Sequence, residues 1–177
     1  SDTVSYAIDD SLVKVNLRAG TGTDSNGDTD YYNTIENIVG SDHDDTIEGN
    51  TADNILKGGL GNDTLTFENA LSGVTVDLGT TGQQNTGSDG QDTISGFENL
   101  TGSSSADNLT GDNSTNIIKG NGGDDILSGA GGVDSLYGGA GNDTFKVELG
   151  DGDDVLDGFE DSQTDTDDAS NKDTVDY

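Results

Sequence analysis

The chain has 177 residues, of which 36 are acidic and 6 basic, giving a formal net charge of −30 with a single His and no Cys, Pro, Met or Trp. Only 28% of residues are hydrophobic and 5% aromatic, the border at which apolar burial fails to offset the conformational entropy of ordering, so the chain alone is expected to be largely disordered. The missing basic surface excludes a nucleic-acid partner, the acidic excess repels an anionic membrane, and disulfide staples are absent; a cationic partner is the natural complement.

The first stretch, residues 1–30, contains VKVNL at 13–17, whose alternation predicts an extended strand, followed by a turn region rich in Gly, Thr, Asn and Asp. At residue 31 a nine-residue register begins. Its first step, 31–39, has Glu36 in the sixth place and Ile38 in the eighth. GSDHDDTIE, GNTADNILK and GGLGNDTLT then fill residues 40–66, with Asp45, Asn54 and Asp63 sixth. A second extended insert, 67–92, carries VTVDL at 74–78. The register returns at 93–101 with Glu98 and Leu100 in the same places. From Gly102, GSSSADNLT, GDNSTNIIK, GNGGDDILS, GAGGVDSLY and GGAGNDTFK follow without a break, with Asp107, Asn116, Asp125, Asp134 and Asp143 sixth.

A longer period overlies the short one. VKVNL and VTVDL are 61 residues apart, and IENIVG at 35–40 precedes FENLTG at 97–102 by 62, so the chain holds two long units and a C-terminal extension. In that extension Phe145, Val147 and Leu149 alternate, GDGDD occupies 150–154, and Val155, Leu156 and Phe159 resume the apolar pattern, which predicts further strands. Residues 160–172 are polar and acidic without period, a loop or disordered segment. DTVSY at 2–6 is echoed by DTVDY at 173–177, as in a piece of a longer repetitive protein. Residues 1–159 are expected to form one solenoid, with inserts at about 1–30 and 67–92 and nonapeptides at about 31–66 and 87–159; 160–177 is an acidic tail and the start of another unit. The longest apolar run is three residues, Tyr6 to Ile8, far below the roughly 20 of a membrane-spanning helix.

One template, G-G-x-G-x-D-x-U-x, covers the repeats, and it is an established signature of a calcium-binding parallel β-helix. The physics agrees. The six-residue Gly/Asp part is a turn, because glycine supplies positive φ and close backbone approach while Asp and Asn close turns locally. The last three residues are a short strand whose middle side chain alone faces inward, so Leu109, Ile118, Leu127, Leu136 and Phe145 are expected to stack in rows. Two repeats make one coil, and repeats two apart share an edge. Asp45 then approaches Asp63, Asp107 approaches Asp125, Asn116 approaches Asp134 and Asp125 approaches Asp143, pairs that repel without a cation. Carboxylates and glycine carbonyls without thiolate or imidazole make a hard-oxygen site that suits Ca²⁺ better than Mg²⁺. With site affinities of roughly 10⁻⁴ to 10⁻³ M, about 10 mM calcium stabilises the fold by about 1.5 to 3 kcal/mol per site.

At these residues the chain resembles the RTX (repeats-in-toxin) family; GGLGNDTLT at 58–66 and GGAGNDTFK at 138–146 match its nonapeptide at every defined position. The resemblance implies an all-β, right-handed parallel β-roll with several Ca²⁺ ions held in Gly/Asp-rich turns, in a protein exported by a type I system that folds on meeting external calcium. The implied ligand positions are Asp45; Gly58, Gly59, Gly61 and Asp63; Asp107; Gly120, Gly122, Gly123 and Asp125; Gly129, Gly131, Gly132 and Asp134; Gly138, Gly139, Gly141 and Asp143; and Asp154. Asn54 and Asn116 replace Asp, and the turns lacking the middle glycines are expected to bind weakly or stay empty. The inserts resemble segments between repeat blocks of large bacterial surface and adhesin-like proteins.

Other readings of the same residues are weaker. An Asp in a Gly/Asn loop is often a solvated turn cap, but recurrence in phase favours ligation at Asp63, Asp125, Asp134 and Asp143 above all. His43 stands in a turn with no second His and no Cys, as a surface residue does, and with 36 acids chance carboxylate pairs carry no glycosidase argument. Threonines do not recur at one repeat position, and Tyr31, Tyr32 and Tyr137 suit core or edge packing better than sugar stacking. The expected protein is a non-enzymatic, calcium-binding structural module, secreted or on a bacterial cell surface, monomeric within a larger chain, without membrane insertion. The alternative is a calcium-dependent carbohydrate- or surface-binding adhesin module, or the accessory repeat module of a secreted polysaccharide-modifying enzyme.

Overall fold

Alternation in the inserts and the x-U-x ends of the nonapeptides both become strands, nearly all of them three residues long. The computed structural model describes residues 1–24, 26–147, 152–158 and 174–176. The first long unit supplies β1 (Thr3–Ser5), β2 (Lys14–Asn16), β3 (Thr21–Thr23), β4 (Thr29–Tyr31), β5 (Asn37–Val39), β6 (Thr46–Glu48), β7 (Ile55–Lys57) and β8 (Thr64–Thr66). The second supplies β9 (Thr75–Asp77), β10 (Gln83–Asn85), a single 3₁₀ turn at Gly87–Asp89, β11 (Gln91–Ser95), β12 (Asn99–Thr101), β13 (Asn108–Thr110) and β14 (Ile117–Gly122). β15 (Ile126–Ser128), β16 (Ser135–Ala140), β17 (Thr144–Lys146), β18 (Val155–Asp157) and β19 (Thr174–Asp176) follow. The acidic segment 160–172 and the expected strand positions Leu149 and Phe159 lie outside the described residues.

Successive nonapeptides alternate between two faces. One face is a ladder of parallel strands in the order β18, β16, β14, β12, β8, β6, β2. The opposite face has two parallel sheets, β1-β5-β7-β11 and β9-β13-β15-β17-β19. Register follows the coil of two repeats: Leu109 pairs with Leu127 and Leu127 with Phe145, while Ile118 pairs with Leu136. This is a parallel β-roll, and its core is two rows of single apolar side chains. Ile47, Leu65, Leu100, Ile118 and Leu136 on one face, and Ile38, Leu56, Leu109 and Leu127 on the other, are all 0% exposed. Because one side chain per nine residues is buried, no repeat holds itself up and stacking is obligatory.

The inserts add antiparallel structure that alternation alone leaves unspecified. In the first, β2, β3 and β4 form a meander; in the second, β10 pairs antiparallel with β11. Arg18 ties the two inserts together. Its guanidinium lies 2.6 Å from Asp89 and 3.6 Å from Glu48, and both carboxylates are buried. Glu48 also accepts hydrogen bonds from the Asn16 side-chain amide at 2.6 Å and from the Asn69 side-chain and backbone amides at 2.8 and 3.2 Å.

Candidate metal centre

The sixth residue of each repeat sits just before a strand, where the turn ends, and its side chain points back into the stack. There Asp63, Asp125, Asp134, Asp143 and Asp154 accept the backbone N–H of the equivalent residue one coil earlier, whereas Asn54 and Asn116 donate their side-chain amides to the Glu36 and Glu98 carbonyls at 2.8 Å. Asp63 Oδ1 takes the amide of Asp45 at 2.7 Å, Asp125 that of Asp107 at 2.8 Å, Asp134 that of Asn116 at 2.8 Å, Asp143 that of Asp125 at 2.9 Å and Asp154 that of Asp134 at 2.9 Å. The like-sided pairs read from the 18-residue coil thus meet, though amide to carboxylate rather than carboxylate to carboxylate. Asp45, Asp63, Asp107, Asp125, Asp134 and Asp143 are all buried.

The ladder includes three rungs outside the Asp and Gly set assembled from the sequence. Glu98 accepts the amide of Asp63 at 2.8 Å, Asp92 that of Asn54 at 2.8 Å, and Glu36 that of Asp2 at 2.8 Å. The signal was present for Glu36 and Glu98, which hold the sixth place in their repeats. Asp92 closes GSDGQD at 87–92, a turn followed by a coil so short that Ile94 and Leu100 are only six residues apart.

The second carboxylate oxygen divides the turns into two kinds. In the turns beginning GS, it is held from within: Ser41 N–H donates to Asp45 Oδ2 at 2.5 Å and Ser103 N–H to Asp107 Oδ2 at 2.6 Å, while each serine hydroxyl donates to Oδ1 at 2.9 Å. The Asn turns close likewise, with Asn50 and Asp112 amides on Asn54 and Asn116 Oδ1 at 2.9 and 2.8 Å. In the glycine-rich turns the second residue has positive φ, from Ala130 at 66° to Gly59 at 130°, which is the conformation the template's glycine permits. There Asp63 Oδ2 and Asp125 Oδ2 are buried with no hydrogen-bond donor.

The first glycine of each turn keeps this pocket open. A Cβ on Gly58 would stand 2.6 Å from Asp63 Oδ2, and one on Gly120, Gly129 or Gly138 would overlap the carboxylates of Asp125, Asp134 and Asp143. The fourth glycines, Gly61, Gly123, Gly132 and Gly141, pack on the backbone of the preceding coil, where no side chain fits. Gly122 and Gly131 complete two of the turns in third place, and Gly139 is the second residue of its own. No cluster of three or more Asp, Glu, His or Cys side chains able to hold a metal exists among the described residues. A bound cation here would therefore take one carboxylate oxygen and turn carbonyls, a donor set for a hard ion that accepts varied geometry, as Ca²⁺ does. An orphaned buried anionic oxygen in a space only glycine leaves clear fits such an ion.

Electrostatics at these carboxylates are those of a site short of positive charge. Burial, with like charge from Asp107, Asp143 and Asp124, pushes Asp125 up to about 7; burial, then Asp45, Glu98 and Asp44, pushes Asp63 up to about 6. Burial also raises Asp107. A raised acid pKa favours the fold while the group is protonated: the contribution is fully present below the unfolded value of about 3.9 and is lost as pH rises through the folded values. Kept free of calcium by chelator, the chain is therefore expected to gain β-structure on acidification from pH 8 to about 5, followed by circular dichroism, the proton replacing the cation. No gain over that range would contradict the burial of these groups.

Other sequence candidates do not converge. His43 is exposed. Tyr31 is exposed on the outer strand of the meander, Tyr32 hydrogen-bonds Tyr6, and Tyr137 lies under the Lys119 ammonium, 5.9 Å from its ring centre. Among the described residues no helix is long and apolar enough to cross a membrane.

No curated protein matches the chain. The family model of the RTX calcium-binding nonapeptide repeat matches in four copies, over residues 33–69, 94–127 and 110–145, which together cover half of the sequence. That repeat is a structural calcium-binding element rather than a catalytic one. The chain belongs to the RTX calcium-binding nonapeptide repeat family.

Proposed function

We propose that the chain is a calcium-triggered folding module of a larger extracellular or cell-surface bacterial protein, in which residues 1–159 act as one solenoid. Membership of a family typically found in secreted or extracellular bacterial proteins supports the location. The observation that carries the reading is the buried, donorless Oδ2 of Asp63 and Asp125, each above a glycine that leaves the space clear. Ca²⁺ when bound supplies the positive charge these turns lack. Asp63, Asp125, Asp134 and Asp143 each fix one carboxylate oxygen to the neighbouring coil and present the other to the turn, with carbonyls of the glycine-rich segments completing the donor set. Asp154 extends the series. Asp45 and Asp107 are served by Ser41 and Ser103, and these turns stack without an ion.

Such an arrangement couples binding to folding, because the aspartate of each site is held in place by the neighbouring coil and is not so held in the open chain. At a net charge of −30 the unliganded chain repels itself and stays threadable for type I export; outside, calcium neutralises the turns and the coils close. The distinction between the turns supplies the test. By equilibrium dialysis with isotopic calcium, Asp125→Ala is expected to lower the number of ions bound at saturation, and Asp107→Ala to leave it unchanged. Equal loss in both variants would refute the assignment.

A further inference from the structure

The two long units are the same sequence of strands, yet the first lacks neighbours that the second has. β8 is the counterpart of β1, and β11 the counterpart of β4, by the repeat of 61 to 62 residues. β8 lies between β6 and β12, whereas among the described residues β1 pairs only with β5. β11 pairs with β7 on one edge and β10 on the other, whereas among the described residues β4 pairs only with β3. The free edges coincide with gaps in the apolar rows. Val4 and Tyr32 are only partly buried against the core, while their counterparts Leu65 and Ile94 are 0% and 3% exposed.

The chain itself contains the strand that fits one of these edges. β19 reads TVD where β1 reads TVS, and Thr174 follows Thr3 by 171 residues. β19 pairs parallel with β17, Val175 opposite Phe145. The free edge of β1 is therefore shaped for a strand like β17. The other edge follows from the second unit, where β11 takes β7 as its neighbour and β7 is the strand immediately before β8. β18 stands immediately before β19 in the same way, so the free edge of β4 is shaped for β18.

We propose that the free edges of β1 and β4 are a docking surface for a preceding copy of this module in the same polypeptide, whose β17 and β18 continue both faces of the roll across the junction, β1 standing where β19 stands in this chain. Copies follow one another at 171 residues, as β1 and β19 do. The register is fixed by Thr93 opposite Ile55 and Ile94 opposite Leu56. Transferred to the junction, it sets Tyr31 of the following copy opposite Val155 of the preceding one, and Tyr32 opposite Leu156. Burying Val4, Tyr32 and Leu156 completes the rows, and Asp30 takes the place in the carboxylate ladder that Asp92 holds internally. Contact of this kind is heterologous and does not close on itself, so it propagates into a filament-like rod.

Since the chain has no Cys, engineered thiols report the junction alone. The test is a two-copy polypeptide, residues 1–171 followed by the complete chain, carrying Val155→Cys in the first copy and Tyr31→Cys in the second. Both positions are exposed, at 54% and 83%, so neither change touches the core. Adjacent strand partners lie within the Cα separation of about 4.4–6.8 Å that a disulfide spans. In calcium under mild oxidant the pair is expected to close within the chain, read by gel mobility and loss of free thiol. Ile55→Cys with Thr93→Cys in the single chain, partners in the observed register, is the control. The proposal rests on the calcium-folded roll, and the control separates the two. A closed control with an open junction pair overturns the docking surface alone; both open in calcium overturns the folded roll and the docking with it.

Discussion

Arg18→Met lowers the stability of the calcium-loaded chain by about 3 to 5 kcal/mol in denaturant unfolding at fixed, saturating calcium, the cost of leaving buried charge uncompensated. Arg18 is the single arginine of the sequence, and its guanidinium stands between two buried carboxylates, 2.6 Å from Asp89 and 3.6 Å from Glu48. Burial raises Glu48 above the usual carboxylate range, Arg18 pulling in the opposite direction. Removing the cation leaves Asp89 with the Ser88 hydroxyl at 3.1 Å and Glu48 with its asparagine donors, hydrogen bonds without a balancing charge. Adding Asp89→Asn to Arg18→Met is expected to recover part of the loss, since contacting groups do not act additively. A loss below about 1 kcal/mol would mean that the cluster is as weak as a surface ion pair. The inserts thus use a protein-borne cation where the repeats use an external one.

Gly120→Ala is expected to cost about 3 kcal/mol, at the upper end for overpacking a filled site, and to abolish calcium binding at its own turn. The added methyl would stand 2.9 Å from Asp125 Cγ and 2.5 Å from the Gly138 carbonyl oxygen, and would overlap Asp125 Oδ2. Neither the carboxylate nor the next coil can yield without breaking the ladder. Gly27 separates this effect from backbone strain: it has φ of 79° with nothing within 4 Å of an added Cβ. Gly27→Ala should cost about 1 kcal/mol through φ alone and leave calcium binding intact. Equal effects of the two substitutions, measured by denaturant unfolding and calcium titration, would show that the first glycine serves only conformational freedom.

The roll was legible because its period is carried by two residue types. Leu109, Leu127 and Phe145 recur eighth, Asp107, Asp125 and Asp143 sixth, and a strand of three residues with one inward side chain follows from elementary pleating. Register came free, since a coil of two repeats permits one stacking. The inserts were legible only as extended chain. Whether VKVNL pairs parallel or antiparallel depends on what the following loop brings back, and β2 does both, parallel with β6 and antiparallel with β3. The role of Arg18 is not legible locally, because Asp89 is 71 residues away and no local pattern links them. The division between turns was half visible. Missing glycines mark the turns of Asp45 and Asp107 as different, but not that Ser41 and Ser103 donate to the carboxylates. That lies in the backbone: serine in the second place keeps its N–H on the carboxylate, whereas in the turns of Asp63 and Asp125 the second residue has positive φ and Oδ2 has no donor.

The central claim, that calcium neutralises these turns and so folds the roll, is tested most directly by far-UV circular dichroism during calcium titration from a chelated start at neutral pH, with magnesium as control. The account predicts a cooperative coil-to-β transition near millimolar calcium and none with magnesium. A chain already folded in chelator at neutral pH, unchanged by calcium, would contradict it, because the stacked apolar rows would then suffice against a net charge of −30.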